Sequence, residues 1–288
     1  MPFRTNRPRG RGASSLLGGR GGSLKMRLII GACIALFAVG SWFFSGGVNP
    51  VTGESQRTGD LTAAAQVQMG LATAPEMAAQ FGGRAQDPRK QALLEEVGRR
   101  LVAAIPVVYP EAEAIPWEFS FTLLEDDQTI NAFALPGGPT FMTEALFDRL
   151  ETESELAGVM GHEIGHVLHQ HGAERMAKQE MFQGLAGAAT TAAGDYTAGQ
   201  VTGLVTNFIG MKYGREDEIE SDVEGVRLMH AAGYDPRALL RVMEVLQEAS
   251  GGAAGPEWAS SHPDPGNRAK LIQDELDKLG LGGEVGVR

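Results

Sequence analysis

The chain has 288 residues, 43% hydrophobic and 21% charged, enough for one sizeable globular body plus an appendage. Its formal net charge of −11 is unevenly placed: residues 1–53 carry +7 with no acidic residue, leaving −18 on the remainder. An acidic body argues against a nucleic-acid-binding surface, and a single cysteine, Cys33, excludes an intramolecular disulfide framework and a cysteine-ligated metal site.

In chain order, residues 1–27 form a basic tail rich in Gly and Pro that reads as disordered. Leu28 to Phe44 follows as an uncharged run of 17 residues. As a helix it is about 26 Å long, just enough to cross a bilayer core. The basic residues before it mark the cytoplasmic side, and Trp42-Phe43-Phe44 suits the far interface. The expected topology has one crossing, with the acidic body outside the cytoplasm. A cleaved signal peptide competes with this reading, since Ala38 and Gly40 make a small-x-small site after an apolar core. A mitochondrial targeting segment ranks behind both, because Gly and Pro spoil an amphipathic helix. Lipidation at Cys33 is disfavoured, because the apolar stretch continues well past it.

Residues 45–60 are turn-rich and read as a linker. The expected organisation is tail 1–27, membrane segment 28–47, linker 48–60 and globular body 61–288. Within the body, helices are predicted at 61–80 and 88–105, the second from Leu93, Leu94, Val97, Leu101 and Val102 at helical spacing. Strands are predicted over Trp117–Leu124, Ile130–Leu135 and Thr140–Met142, with a Pro-Gly-Gly turn at 136–138 and a short helix from Glu144 to Arg149. One long helix is predicted from a Thr152/Glu155 capping box to about Gln179. Gly184 to Gly203, dominated by Gly, Ala and Thr, reads slightly better as a flexible loop or weak helix than as a cover or membrane-touching segment. Further helices are expected at 216–231, 236–249 and 266–279, with a Gly-rich loop at 251–255.

The long helix carries His162-Glu163-Ile164-Gly165-His166. Positions i and i+4 share a helix face, so both imidazoles can address one ion while Glu163 reaches a water bound to it. This H-E-x-x-H pattern specifies two zinc ligands and a general base. A catalytic zinc needs a third protein ligand. The longer histidine motif is absent, because position 172 is Gly. Downstream, Glu218 and Asp222 stand at i and i+4 in an acidic stretch. The first can bind the metal and the second can accept the N–H of a ligating imidazole. His169 lies near the metal face but reads as a surface or supporting residue, and His171 and His230 read as structural. Arg215 and Arg268 read as ion-pair residues shaping the site.

With these residues in hand the sequence resembles the membrane-associated zinc metalloproteases that include the CAAX prenyl endoprotease, the heat-shock protease HtpX and the BepA-like proteases. The resemblance covers roughly residues 48–280. It rests on Asn-Pro-Val-Thr-Gly at 49–53, Asn131 through Gly138, His162 through His166, Arg215 through Asp222, and Ser261-His262-Pro263 with Arg268. It implies one zinc ion per chain with Glu218 as third ligand. It implies a cleft bordered by Asn131, Ala132 and Phe133, and a His262 that either supports the transition state or occupies the fourth zinc position as an off-switch. Two departures are Ser221 in place of a usual Ala and Gln170 in place of a frequent Arg.

The expected fold is α+β, a mainly helical zincin-like domain with a small mixed or antiparallel sheet, preceded by one N-terminal transmembrane helix. The expected function is zinc endopeptidase activity on misfolded or unassembled polypeptides, with Glu163 as proton acceptor and His262 as oxyanion donor. The expected location is a bacterial inner membrane, held through residues 28–44, with the catalytic body in the periplasm. A second hypothesis is a chaperone-like or scaffold protein whose site His262 keeps closed. A CAAX protease is disfavoured by the single apolar segment.

Overall fold

Asp87 and Thr152 start the two helices around which the body is built. Asp87 accepts from the N–H groups of Arg89 and Lys90, with Pro88 at the first helical position. Thr152 accepts from Glu155 N, while the Glu155 carboxylate reaches back to Glu151 N, a capping box displaced by one residue. A computed structural model describes residues 24–193, 212–250, 257–262 and 267–282. In order they form α1 (Leu24–Phe44), β1 (Gly46–Val48), β2 (Ser55–Arg57), α2 (Ala63–Gln80), α3 (Pro88–Val108), β3 (Ser120–Leu124), β4 (Ala132–Ala134) and β5 (Pro139–Thr143). Then follow α4 (Glu144–Phe147), α5 (Glu153–Leu168), α6 (His171–Ala193), α7 (Arg215–Ala231), α8 (Ala238–Ser250), α9 (Glu257–Ser261) and α10 (Arg268–Lys278).

The architecture is the expected one: mainly helical with small sheets. β5 lies between β3, which it pairs in parallel, and β4, which it pairs antiparallel, so the sheet is mixed and β4 is an edge. α5 is buried nearly from end to end. It sits between the sheet, α3, α7 and α8, and Leu156, Met160 and Ile164 share one core with Leu94, Val97, Met142, Val226 and Ile272. α5 and α7 approach closely because Gly161 faces Gly225 and Gly165 faces Ser221. A Cβ on Gly165 would lie 2.9 Å from Ser221 Cα.

Two expectations need correction. The segment 45–60, expected as a linker, is a hairpin in which β1 pairs with β2. It docks through buried Asn49, whose Nδ2 donates to Leu168 O at 2.6 Å, and through Gln56, which donates to His169 O. Those carbonyls end α5, where no intrahelical donor remains for them. The long helix predicted over 152–179 is two helices, because Gln170 adopts a left-handed φ of 53° and the chain restarts at His171. Of the two forms expected for the Gly-, Ala- and Thr-rich stretch, loop or weak helix, residues 184–193 take the helical one, completing α6 against α1. The rest of that stretch, the first 23 residues of the tail and the 251–255 loop lie outside the described residues.

Candidate metal centre

α5 supplies His162 and His166, α7 supplies Glu218 and Asp222, and the end of α9 leads into His262; all five are buried. His162 Nε2 and His166 Nε2 are 3.1 Å apart. His262 Nδ1 lies 3.3 Å from the first, 3.2 Å from the second and 3.0 Å from Glu218 Oε1. One donor atom from each of His162, His166, Glu218 and His262 lies within 4.8 Å of the others. Three ring nitrogens at this separation cannot all satisfy one another as hydrogen-bond partners, whereas a cation accepts every lone pair. Beside them, Glu163 is wholly buried and neither carboxylate oxygen has a hydrogen-bond partner among the described residues. The ionisable His262 ring brings its Nε2 to 3.6 Å from Glu163 Oε1, and a buried carboxylate without a hydrogen bond is costly for a structural role. The donor set of two imidazoles, a carboxylate and a further imidazole fits zinc.

The ligand orientations follow from their partners. Asp222 Oδ1 lies 2.9 Å from His162 Nδ1, so Nδ1–H donates and Nε2 is free toward the cluster. Arg268 clamps the same carboxylate, donating from Nε and Nη2 at 2.7 Å each, and its Nη1 is 3.0 Å from Glu218 Oε2. Burial pushes the Asp222 carboxyl up, but Arg268 and His162 outweigh it and hold the group at about 2. Burial likewise opposes charge on His162, and the Asp222 hydrogen bond overcomes it, raising that imidazole. His166 is held well below the ordinary range, by burial first and then by its histidine neighbours.

Arg268 thus stands where the sequence reading wanted it, and Arg215 does not. Arg215 is exposed on the first turn of α7 and makes no ion pair among the described residues. Asp217, two residues on, pairs with Arg175 of α6. In the edge strand, Thr143 N bonds Asn131 O and Leu135 N bonds Pro139 O, so residues 131, 133 and 135 turn their backbone groups toward β5. By antiparallel alternation it is Ala132 and Ala134 whose peptide groups point away from β5, with Ala132 itself buried and Ala134 half-buried. Phe133 stacks on Phe141 and packs on Phe81.

Three further neighbours line the site: His171, expected only as a structural residue, and Tyr213 and Trp258, which the motifs do not include. His171 lies 2.9 Å from His166 Nδ1, and its Nε2 is 3.1 Å from Glu220. Tyr213 stacks on His166 with ring centres 3.9 Å apart, and burial pushes its hydroxyl pKa up, so it stays protonated. Trp258 stacks on His262 at 4.7 Å, and its backbone N–H reaches Ile130 O at 3.3 Å, at the start of the edge strand. Trp258 carried a usable signal, since it stands four residues before His262. Tyr213 carried none. His169, expected near the metal face, is buried against Glu54, 3.1 Å away, and takes no part in the cluster.

Residues 88–276 match peptidase family M48. The chain belongs to this family. A metalloendopeptidase is the enzyme class that M48 membership assigns to it. Among relatives, it is 33% identical to the mitochondrial metalloendopeptidase OMA1 of Arabidopsis thaliana over 160 residues, 56% of this chain and 32% of that protein. It is 32% identical to the beta-barrel assembly-enhancing protease of Escherichia coli K12 over 204 residues, 67% of this chain and 40% of that protein. With OMA1 of Schizosaccharomyces pombe it shares 33% over 152 residues, 52% of this chain and 44% of the other. The match thus spans less than half the length of each of these relatives. The M48 match encloses His162, Glu163, His166, Glu218, His262 and Arg268, and it begins beyond α1 and the hairpin.

Proposed function

We propose that this M48 member is a zinc-dependent endopeptidase that hydrolyses misfolded or unassembled polypeptides at a membrane, with its body on the extracytoplasmic side of a bacterial inner membrane. The observation that carries it is the buried Glu163 carboxylate, which accepts no hydrogen bond among the described residues, beside a converging His162–His166–Glu218 donor set. Zinc bound there supplies a Lewis acid and a water of lowered pKa. Glu163 accepts the proton of the attacking water and returns it to the leaving amine. Asp222, itself fixed by Arg268, holds the His162 tautomer. The peptide groups of Ala132 and Ala134, which point away from β5, bind the substrate backbone as an added strand once the edge at buried Ala132 is uncovered, a mode that reads few side chains and suits a broad substrate set. The quality-control assignment draws on the names of the relatives, an assembly-enhancing protease among them. Relatives and α1 together support the location: α1 is long and apolar enough to cross a membrane.

A second reading has its own observation. His262 Nδ1 occupies the fourth corner of the donor set, not a position aimed at a substrate carbonyl, and Trp258 bonds the end of the strand a peptide would extend. This arrangement describes a closed resting form, in which His262 must swing out before it can serve as an oxyanion donor. Taken to its limit it gives a scaffold or chaperone with a blocked site.

Casein hydrolysis by the purified, zinc-loaded protein separates the two. Glu163→Gln should abolish turnover while zinc content stays stoichiometric, and His262→Ala should retain or raise the basal rate. Hydrolysis that survives both chelation and Glu163→Gln would refute the enzyme mechanism. Complete inactivity of both wild type and His262→Ala would favour the scaffold.

A further inference from the structure

α6 leaves the wall of the metal centre at His171 and runs antiparallel to α1 for most of its length. Gly184 meets Ala38, and Gly31 meets Ala188 and Ala192. A Cβ at Gly184 would come within 2.8 Å of Ala38 Cβ, and one at Gly31 within 2.8 Å of Ala188 O. Gly31 and Ala38 are the buried residues of α1. Elsewhere α1 exposes apolar side chains, with Leu36 at 74% and Phe37 at 78% exposure. Outside its contact with α6, this surface suits acyl chains and not water.

The composition of α6 changes at the same level. Its charged residues, Glu174, Arg175, Lys178 and Glu180, all lie in the first ten positions, and none occurs from Met181 to Ala193. The two hydroxyls in that half are satisfied internally: Thr190 and Thr191 both donate to Gly187 O, at 3.0 and 2.8 Å. Back-bonding of this kind lets threonine sit in a helix surrounded by lipid. Phe182, at the charge boundary, is exposed. Gly31 lies 13 residues from Phe44, which places the deepest α1–α6 contact about 20 Å along a span of about 30 Å.

We propose that the distal half of α6, Met181–Ala193, is embedded in the lipid bilayer beside α1, so that a helix pair packed through small residues, not a lone anchor, holds the enzyme to the membrane. The proposal rests on the reading of α1 as a membrane span.

The test uses the full chain in vesicles of phosphatidylcholine and phosphatidylglycerol, with a fluorophore on one cysteine at a time. The native Cys33, exposed on α1, reports the anchor. In a Cys33→Ser background, Gly187→Cys reports α6, where an added side chain meets nothing within 4 Å. Ala186→Cys repeats the measurement at an exposed neighbour, and exposed Lys178→Cys reports the charged half. Nitroxides on the lipid acyl chains should quench the dyes at 33, 186 and 187, and aqueous iodide should quench only the dye at 178. If positions 186 and 187 follow 178 while Cys33 stays lipid-exposed, the inference is overturned and the anchor stands. If iodide quenches Cys33 as well, the anchor reading falls and the inference with it.

Discussion

His166 has two nitrogens and two obligations, and the 2.9 Å contact with His171 decides how both are met. Its Nε2 faces the metal cluster, so a neutral ring must carry its proton on Nδ1 and needs an acceptor there. His171 Nδ1 is that acceptor, which leaves His171 protonated at Nε2 and donating to Glu220. His162 solves the same problem directly with Asp222, so one ligand is backed by a carboxylate and the other by an imidazole-carboxylate chain. His171→Phe, which removes the acceptor, should weaken zinc binding by roughly 10–100-fold. His171→Asn places an amide oxygen near the lost Nδ1 and should recover most of that affinity. Competition with a chromophoric chelator measures both, and equal losses in the two variants would show that the acceptor is not what matters. That His162 and His166 converge was legible from spacing, because i and i+4 on one helix fix where two side chains point. His171 was not. Its distance from His166 follows from the left-handed turn at Gln170, a conformation that residue type does not announce.

α10 supplies a buried arginine to the site, so its attachment matters there. Ile272 and Leu276 anchor it in the core, and buried Glu275 adds to this, accepting from Arg227 of α7 at 2.7 Å and from Lys278 at 2.7 Å. Burial raises its carboxyl, but Lys278 and Arg227 outweigh burial and leave the group below the ordinary glutamate value of 4.5. A depressed carboxylate contributes stability that is fully present above its unfolded pKa and is lost as pH falls through the folded one. Between pH 5 and pH 3, then, the melting temperature of Glu275→Gln should fall less steeply than that of wild type. Its stability at neutral pH should be lower by about 1 kcal/mol, since both cationic partners are partly exposed. Parallel pH slopes in the two proteins would rule out the linkage. At this scale helices α2, α3, α7, α8 and α10 stood within a few residues of their predicted positions, because apolar spacing and caps are local signals. The hairpin was hidden because its reason is remote. Asn49 and Gln56 satisfy carbonyls more than a hundred residues away, and nothing in 45–60 taken alone distinguishes that from a linker.

For the whole molecule, the metal centre ties together parts that are far apart in sequence: α5, α7 and the segment ending at His262. An ion that binds the folded chain and not the unfolded one stabilises by mass action, about 2.7 kcal/mol when free zinc is a hundredfold above its Kd. Thermal melts with zinc, and again after chelation and dialysis, should differ by several degrees, and His162→Asn should erase most of the difference. An unchanged transition after verified metal removal would contradict zinc as the brace. The acidic body and basic leader were visible in composition alone. The partnership of α1 with α6 was not, since a Gly- and Ala-rich stretch has no apolar periodicity to distinguish a packed helix from a loop.

The unbroken run of α6 has a consequence for what can be cut. His171, at one end, supports a metal ligand, and Met181 marks the last charged turn. The ten-residue step from one to the other amounts to a stiff spacer of about 15 Å. With the distal half fixed in lipid, the catalytic cleft rides at a set altitude above the bilayer. An extended chain covers that height in about five residues. Proteins leaving the membrane would then be severed a short, constant distance beyond their last embedded residue, whatever their sequence, and mapped cleavage sites in a single-span reporter would display that offset directly.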